Sequence, residues 1–106
     1  MTAWIPDLLT EIVPPQDGTL SRVLHRDDAI RLVGFGFDAG QELTEHSSAY
    51  PAIVQVVSGR IVVSVGGEDH EMGPTSWLFM EARAPHSLRA VEPSVVLLTL
   101  IRDESE

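Results

Sequence analysis

Once past the paired prolines at positions 14 and 15, the chain offers no stretch long and periodic enough for a second helix. It is cut instead into short β-branched or aromatic runs, separated by "DAGQ", "SSAYP", "SGR", "GGED", "GPTS" and "EARAP". Runs of that kind, bounded by turn formers, are how all-β domains read. The pattern predicts strands at Leu20 to Leu24, Ile30 to Phe37, Glu42 to His46, Ile53 to Val57, Arg60 to Val65, Asp69 to Met72, Trp77 to Met80, His86 to Ala90 and Val95 to Ile101. Ahead of the prolines, "IPDLLTEIV" predicts a short helix with Pro6 at its first position, Asp7 in the first turn, and Leu8, Leu9 and Ile12 as an apolar stripe.

Ser58-Gly59 and Gly66-Gly67 read as tight hairpin turns, because glycine supplies the positive φ that two-residue loops need. The run "VVLLTLI" at 95 to 101 is apolar on both faces, which predicts layered packing in a sandwich or barrel rather than a sheet solvated on one side. In "GFGF", 34 to 37, the glycines mark strand positions where another group comes close, and the spacing is not that of a phosphate-binding loop. At 106 residues this is one domain, with an N-terminal arm over 1 to 18, a barrel over about 20 to 101 and a charged tail over 102 to 106 that is expected to fray. The two-faced strands and the arm favour a homodimer.

The charge balance narrows the partners. Seven arginines and no lysine stand against sixteen acids, for a net charge of −9, which repels phosphate backbones and anionic lipid and argues against nucleic-acid and membrane partners. With no cysteine, thiolate ligands, disulfides and a cysteine nucleophile are excluded, so any metal must be held by His, carboxylate or amide oxygen. The first fifteen residues lack the basic segment of a signal peptide, and a cytoplasmic address is expected.

The stretch "GQELTEHSSAYPAIVQVVSG", residues 40 to 59, carries Gly40, His46 and Gly59 at the spacing of a known motif, and "TSWLFMEARAPHSLRA" carries His86 at the spacing of a second. On these residues the chain, from about Leu20 to Ile101, resembles the small single-domain cupins, a jelly-roll or double-stranded β-helix family of the conserved-barrel type. It departs from them where they bind metal. Ser48 stands at the second histidine position and Ala52 at the glutamate position; Thr75, Glu81, Arg83 and Ala90 stand where the second motif has Gly, Pro, Gly and Asn. The resemblance implies a barrel whose mouth receives His46 and His86 from different strands.

A first-row metal in such a pocket needs three or four N and O ligands. His46 and His86 supply two, and a third has to come from Gln55 or Glu81, although strand alternation turns Gln55 away if Ala52 faces inward. Alternation also puts Thr44 and Glu42 in register with His46, with Glu42 at the rim. Ser48 and Tyr50 complete the candidate polar lining; His25 and His70 read as surface residues, and Trp77, Phe79, Phe35 and Phe37 as core. Trp4 is expected to pack on the barrel or on a partner chain. Two functions compete. One is a small-molecule-binding module of sensory or regulatory use. The other is an enzyme, an oxygenase or isomerase of a small organic acid, dependent on Mn, Fe, Ni, Zn or Cu. A barrel filled by its own side chains, serving as a scaffold, is a third.

Overall fold

The computed structural model describes residues 2–102, so the charged tail beyond Arg102 lies outside the described residues. One short helix, α1 (Leu8–Glu11), precedes nine strands: β1 (Thr19–Arg26), β2 (Ile30–Phe37), β3 (Glu42–His46), β4 (Ala52–Ser58), β5 (Ile61–Val65), β6 (Glu68–Met72), β7 (Trp77–Met80), β8 (His86–Ala90) and β9 (Ser94–Ile101). All pair antiparallel, in a five-stranded sheet ordered β1-β2-β9-β4-β7 and a four-stranded sheet ordered β3-β8-β5-β6. The two sheets face each other as an all-β jelly-roll barrel.

Alternation decides what each strand gives to the interior. Ala52, Val54 and Val56 of β4 are buried, as are Ile61 and Val63 of β5. Phe37, Val56, Ile61, Met72 and Ala90 pack together in the core near one end of the barrel. At the opposite end the sheets part, and His46, Ala52, His86 and Leu100 surround an opening. The barrel therefore has one closed end and one mouth.

The closed end is secured by the corner at Ser58-Gly59, which is not a hairpin. β4 and β5 belong to different sheets, so this turn carries the chain from one layer to the other. Gly59 sits at φ +90°, and a Cβ there would run into Ser94 Oγ and the Pro93 carbonyl oxygen. Ser94 is fully buried; its hydroxyl accepts from Arg60 N at 3.0 Å and lies 2.7 Å from the Glu92 carbonyl oxygen, to which it donates. By contrast Gly66-Gly67, at φ +57° and +86°, does close a hairpin, between β5 and β6.

The glycines of "GFGF" hold the N-terminal arm. Phe35 and Phe37 point inward and stack, with ring centroids 5.7 Å apart. Gly34 and Gly36 leave a groove on the outer face, where Ile12 is fully buried; a Cβ on Gly34 would come within 2.7 Å of Ile12 Cγ1. Asp7 caps α1, its side chain accepting from Leu9 N, so the helix starts at Leu8, two residues later than the Pro6 reading had it. Leu9 is exposed, Ile12 is the one side chain of the segment that is fully buried among the described residues, Arg22 binds the Glu11 carbonyl at 3.1 Å, and Trp4 stays 79 % exposed. Trp77 and Phe79, read from sequence as core, lie on the outer face of edge strand β7 at 61 % and 45 % exposure, because the inward positions there fall to Leu78 and Met80.

Two turns keep a conformation that suits glycine without having it. Thr75 has φ +76° and Arg83 φ +68°, at the two positions where the resemblance places glycines. For β-branched Thr75 this is a genuine outlier.

Three outcomes are expected. Gly59→Ala destabilises by at least about 3 kcal/mol in urea unfolding, since both backbone strain and overlap with the 93–94 corner oppose it. Thr75→Gly stabilises by about 0.5–1 kcal/mol, the relieved left-handed strain exceeding the entropy gained by the unfolded chain, and raises Tm by a few degrees. Asp27, in the β1–β2 turn, is held down to about 2 by its bond to His25 and by the amides of Ile30 and Ala29. A depressed carboxylate stabilises above its unfolded value near ~3.9 and loses that contribution as pH falls through the folded value. The stability gap between wild type and Asp27→Ala should thus be flat above about pH 5 and close towards pH 2.

Candidate functional site

The mouth owes its chemistry to one irregularity in β3. Leu43 pairs with Leu88, and the next pair in the ladder is His46 with His86: three steps along β3 against two along β8. In an unbroken ladder Glu45 would face His86. The extra residue is a β-bulge that turns His46 inward and Glu45 out. It also overturns the expected register of this strand: Leu43 shares the inner face with His46, while Glu42 lies outside, opposite Arg89.

Both imidazoles are held by backbone. His46 Nδ1 donates to the Thr44 carbonyl at 2.8 Å, and His86 Nδ1 to the Ala84 carbonyl at 2.9 Å. The two Nε2 atoms then meet at 3.1 Å, with the rings 65° apart in an edge arrangement. A carbonyl only accepts, so each Nδ1 must carry hydrogen and, in the neutral rings, both Nε2 atoms present lone pairs to each other. What this geometry accommodates between them is one shared proton, or an electrophile in its place. The arrangement is a preorganised pair of nitrogen donors with fixed tautomers.

Two spaces meet at this pair. Inward lies an apolar chamber of about 50 Å³, walled by Phe35, Leu43, Val54, Val63 and Leu98 among others. Outward lies a more open vestibule of about 290 Å³, bounded by Ser47, Ser48, Ala52 and Leu100. The histidines line both, and so form the throat. The chamber is about a third of the ~150 Å³ apolar cavity known to hold benzene, which restricts it to a short aliphatic group.

Of the residues singled out in the sequence, His46, Ser48 and His86 come together here. The Ser48 hydroxyl accepts from Tyr50 N at 3.2 Å, and its carbonyl accepts from Arg83 N at 2.7 Å, tying together two loops beside the mouth. Tyr50 is half-buried in the first of these loops and lines neither space. Gln55 points outward, beside Trp77, as the inward positions of β4 go to Ala52, Val54 and Val56. Glu81 is exposed and borders a separate depression with Glu68 and His70. Neither extends the donor set. His25 and His70 pair with the neighbouring acids Asp27 and Glu68 at 2.9 and 3.6 Å, away from the throat.

The donor chemistry therefore falls short of a cupin metal centre. The 3.1 Å between Nε2 atoms suits two adjacent ligands of one ion, and the backbone-bound Nδ1 atoms suit it too. But Ser48 offers a hydroxyl already engaged, Ala52 offers nothing, and among the described residues no three His, Asp or Glu side chains converge. Two imidazoles are one ligand fewer than even an open catalytic site provides.

The chamber walls were the part sequence reasoning missed. Their signal was the shared parity of Val54 with Ala52 and of Leu98 with Leu100; the bulge that puts Leu43 and His46 on one face left no mark in residue type.

Comparison with known proteins agrees with this architecture. The family model Cupin_2, cupin domain, matches residues 35–101. A conserved protein of unknown function from Streptococcus pyogenes is 32 % identical, with a TM-score of 0.88 over 99 % of this chain and 92 % of that one. A cupin superfamily protein from Desulfitobacterium hafniense is 19 % identical, with a TM-score of 0.85 over 91 % and 88 % of the two chains. KdgF from Halomonas sp. is 23 % identical, with a TM-score of 0.77 over 84 % of each. The search of curated proteins found no match. With the family match spanning most of the barrel, and the two-sheet fold and inward histidine pair in place, this chain belongs to the Cupin_2 family of cupin domains.

Proposed function

We propose that this cupin is a binding module for a small amphipathic molecule, whose short apolar tail enters the chamber and whose polar head meets the histidine pair. The observation that carries this reading is the convergence of two backbone-oriented imidazole nitrogens, 3.1 Å apart, at the throat of an apolar space. A few fixed polar groups above an apolar lining is the usual make-up of a ligand site. Sensory or regulatory use needs no further machinery.

A metal-dependent enzyme for a small organic acid is the second reading, favoured by the separation of the Nε2 atoms and opposed by the missing third ligand. Methyl and imidazole NMR separates the two. Aliphatic acids, amides and alcohols of three to six carbons are expected to shift Leu43, Val54, Val63 and Leu98 together with both imidazoles, and Leu43→Phe to abolish these shifts while the fold persists. No shift from any compound would overturn the binding reading. Metal analysis of untagged protein is expected to find well under one ion per chain; a stoichiometric ion that survives dialysis would instead favour the enzyme.

A further inference from the structure

The histidine pair fixes the kind of head group the throat can take. Each Nδ1 gives its hydrogen to a backbone carbonyl, so what the two rings turn towards a ligand is the pair of Nε2 atoms, 3.1 Å apart. The ring centroids lie only 4.3 Å apart, so the rings meet obliquely and not nose to nose, which leaves the nitrogens open to a third atom at the throat. An imidazole nitrogen without hydrogen only accepts.

The rest of the lining adds no fixed donor. Among the described residues no arginine and no acid borders the chamber or the vestibule, nor does any amide or indole side chain. Ser87 borders the chamber, but it alternates with His86 and Leu88, and its side chain faces the outer depression beside Ser64 and Asp69. The hydroxyls of Ser47 and Ser48 in the vestibule can give or take a hydrogen bond. A carboxylate, which only accepts, would meet two lone pairs. A carboxamide could donate to both nitrogens, but its carbonyl would then stand at the throat with no side-chain N–H to receive.

A nitrogen about 2.9 Å from each Nε2 sees the two at roughly 65°, so two of its hydrogens reach them through bonds bent to about 145–150°, clear of the ~120° below which a hydrogen bond weakens steeply. A hydroxyl has one hydrogen for two acceptors, whereas an ammonium has three hydrogens and no acceptor. We infer that the ligand is a short primary alkylammonium, with its tail in the chamber and two N–H groups on the Nε2 atoms of His46 and His86. The third N–H is directed into the vestibule, towards its serines and solvent. Donors that carry charge make the shorter and stronger hydrogen bonds, and a chain of net charge −9 draws cations from solution. This rests on the small-molecule reading above and adds the sign of the ligand's charge and the hydrogens its head must bear.

Four butyl compounds share one tail and separate the possibilities: butylammonium, butyltrimethylammonium, butan-1-ol and butyrate. Each is titrated by NMR of the Leu43, Val54, Val63 and Leu98 methyls at about pH 8, where free imidazole is neutral and an alkylamine is still charged. Butylammonium is expected to bind wild type at least tenfold more tightly than butanol or butyrate, the margin over butanol narrowing as salt rises. Butyltrimethylammonium keeps the charge without any N–H and should bind at least tenfold more weakly, although the vestibule of about 290 Å³ has room for its methyl groups. His86→Phe should cost butylammonium at least tenfold and butanol less, since a single hydroxyl hydrogen still finds His46; the methyl spectrum of the free variant checks that the barrel is intact, and the wild-type series decides without it. Butanol, butyrate or butyltrimethylammonium matching butylammonium on wild type, or no loss in a folded His86→Phe, would overturn the ammonium and leave the binding module standing. If none of the four shifts the chamber methyls, the binding module fails, and the ammonium with it.

Discussion

The site of this protein hangs on one inserted residue. Between Leu43 and His46 the β3–β8 ladder takes three steps on one strand for two on the other, and the phase of everything beyond it follows. Before the bulge Leu43 and Leu88 face the interior and help to wall the chamber; after it His46 and His86 do, and close the throat. Without it a glutamate would look into the barrel across from a histidine. The hydrogen bond from His46 to the Thr44 carbonyl spans this irregular segment, so the kink and the tautomer are held by the same contact.

Strand existence was legible because each run is short, β-branched and fenced by glycine, proline or serine; the register was not. The reading that put Glu42 on the histidine face failed because alternation carries no information about an insertion in the ladder. The reading of Ser58-Gly59 as a hairpin failed for a related reason: a glycine at positive φ says that the chain turns, and says nothing about which sheet it turns into. Trp77 and Phe79 were misplaced because β7 is an edge strand whose apolar residues occupy both faces. The departures at Ser48 and Ala52 were plain in the sequence.

Backbone and side chains have kept the cupin pattern to different degrees. The turns at Thr75 and Arg83 hold positive φ although neither is glycine, and the amide of Arg83 still reaches across to the Ser48 carbonyl. The Arg83 loop frames the mouth, so the shape of the opening persists where two ligand positions have become Ser and Ala, while the Thr75 turn keeps its conformation at the other end of the barrel, beyond Met72. The chain bears the cost of left-handed backbone and retains the frame, while the donors within it are reduced to two imidazoles.

The Ser94 latch and the side chains packed above it give the barrel an anatomy with a kinetic meaning. Among the described residues the chamber meets the vestibule at the histidine throat, with buried Phe37, Ile61 and Ala90 at the far end, so it is built as a burrow and not a channel. With only about 50 Å³ beyond the histidines the chamber has room for one ligand tail of the proposed kind, which would have to back out before a successor went in. For ligands of the kind proposed, exchange in the chamber would be sequential, the outgoing molecule would set its pace, and compounds whose tails require that space would compete for one berth.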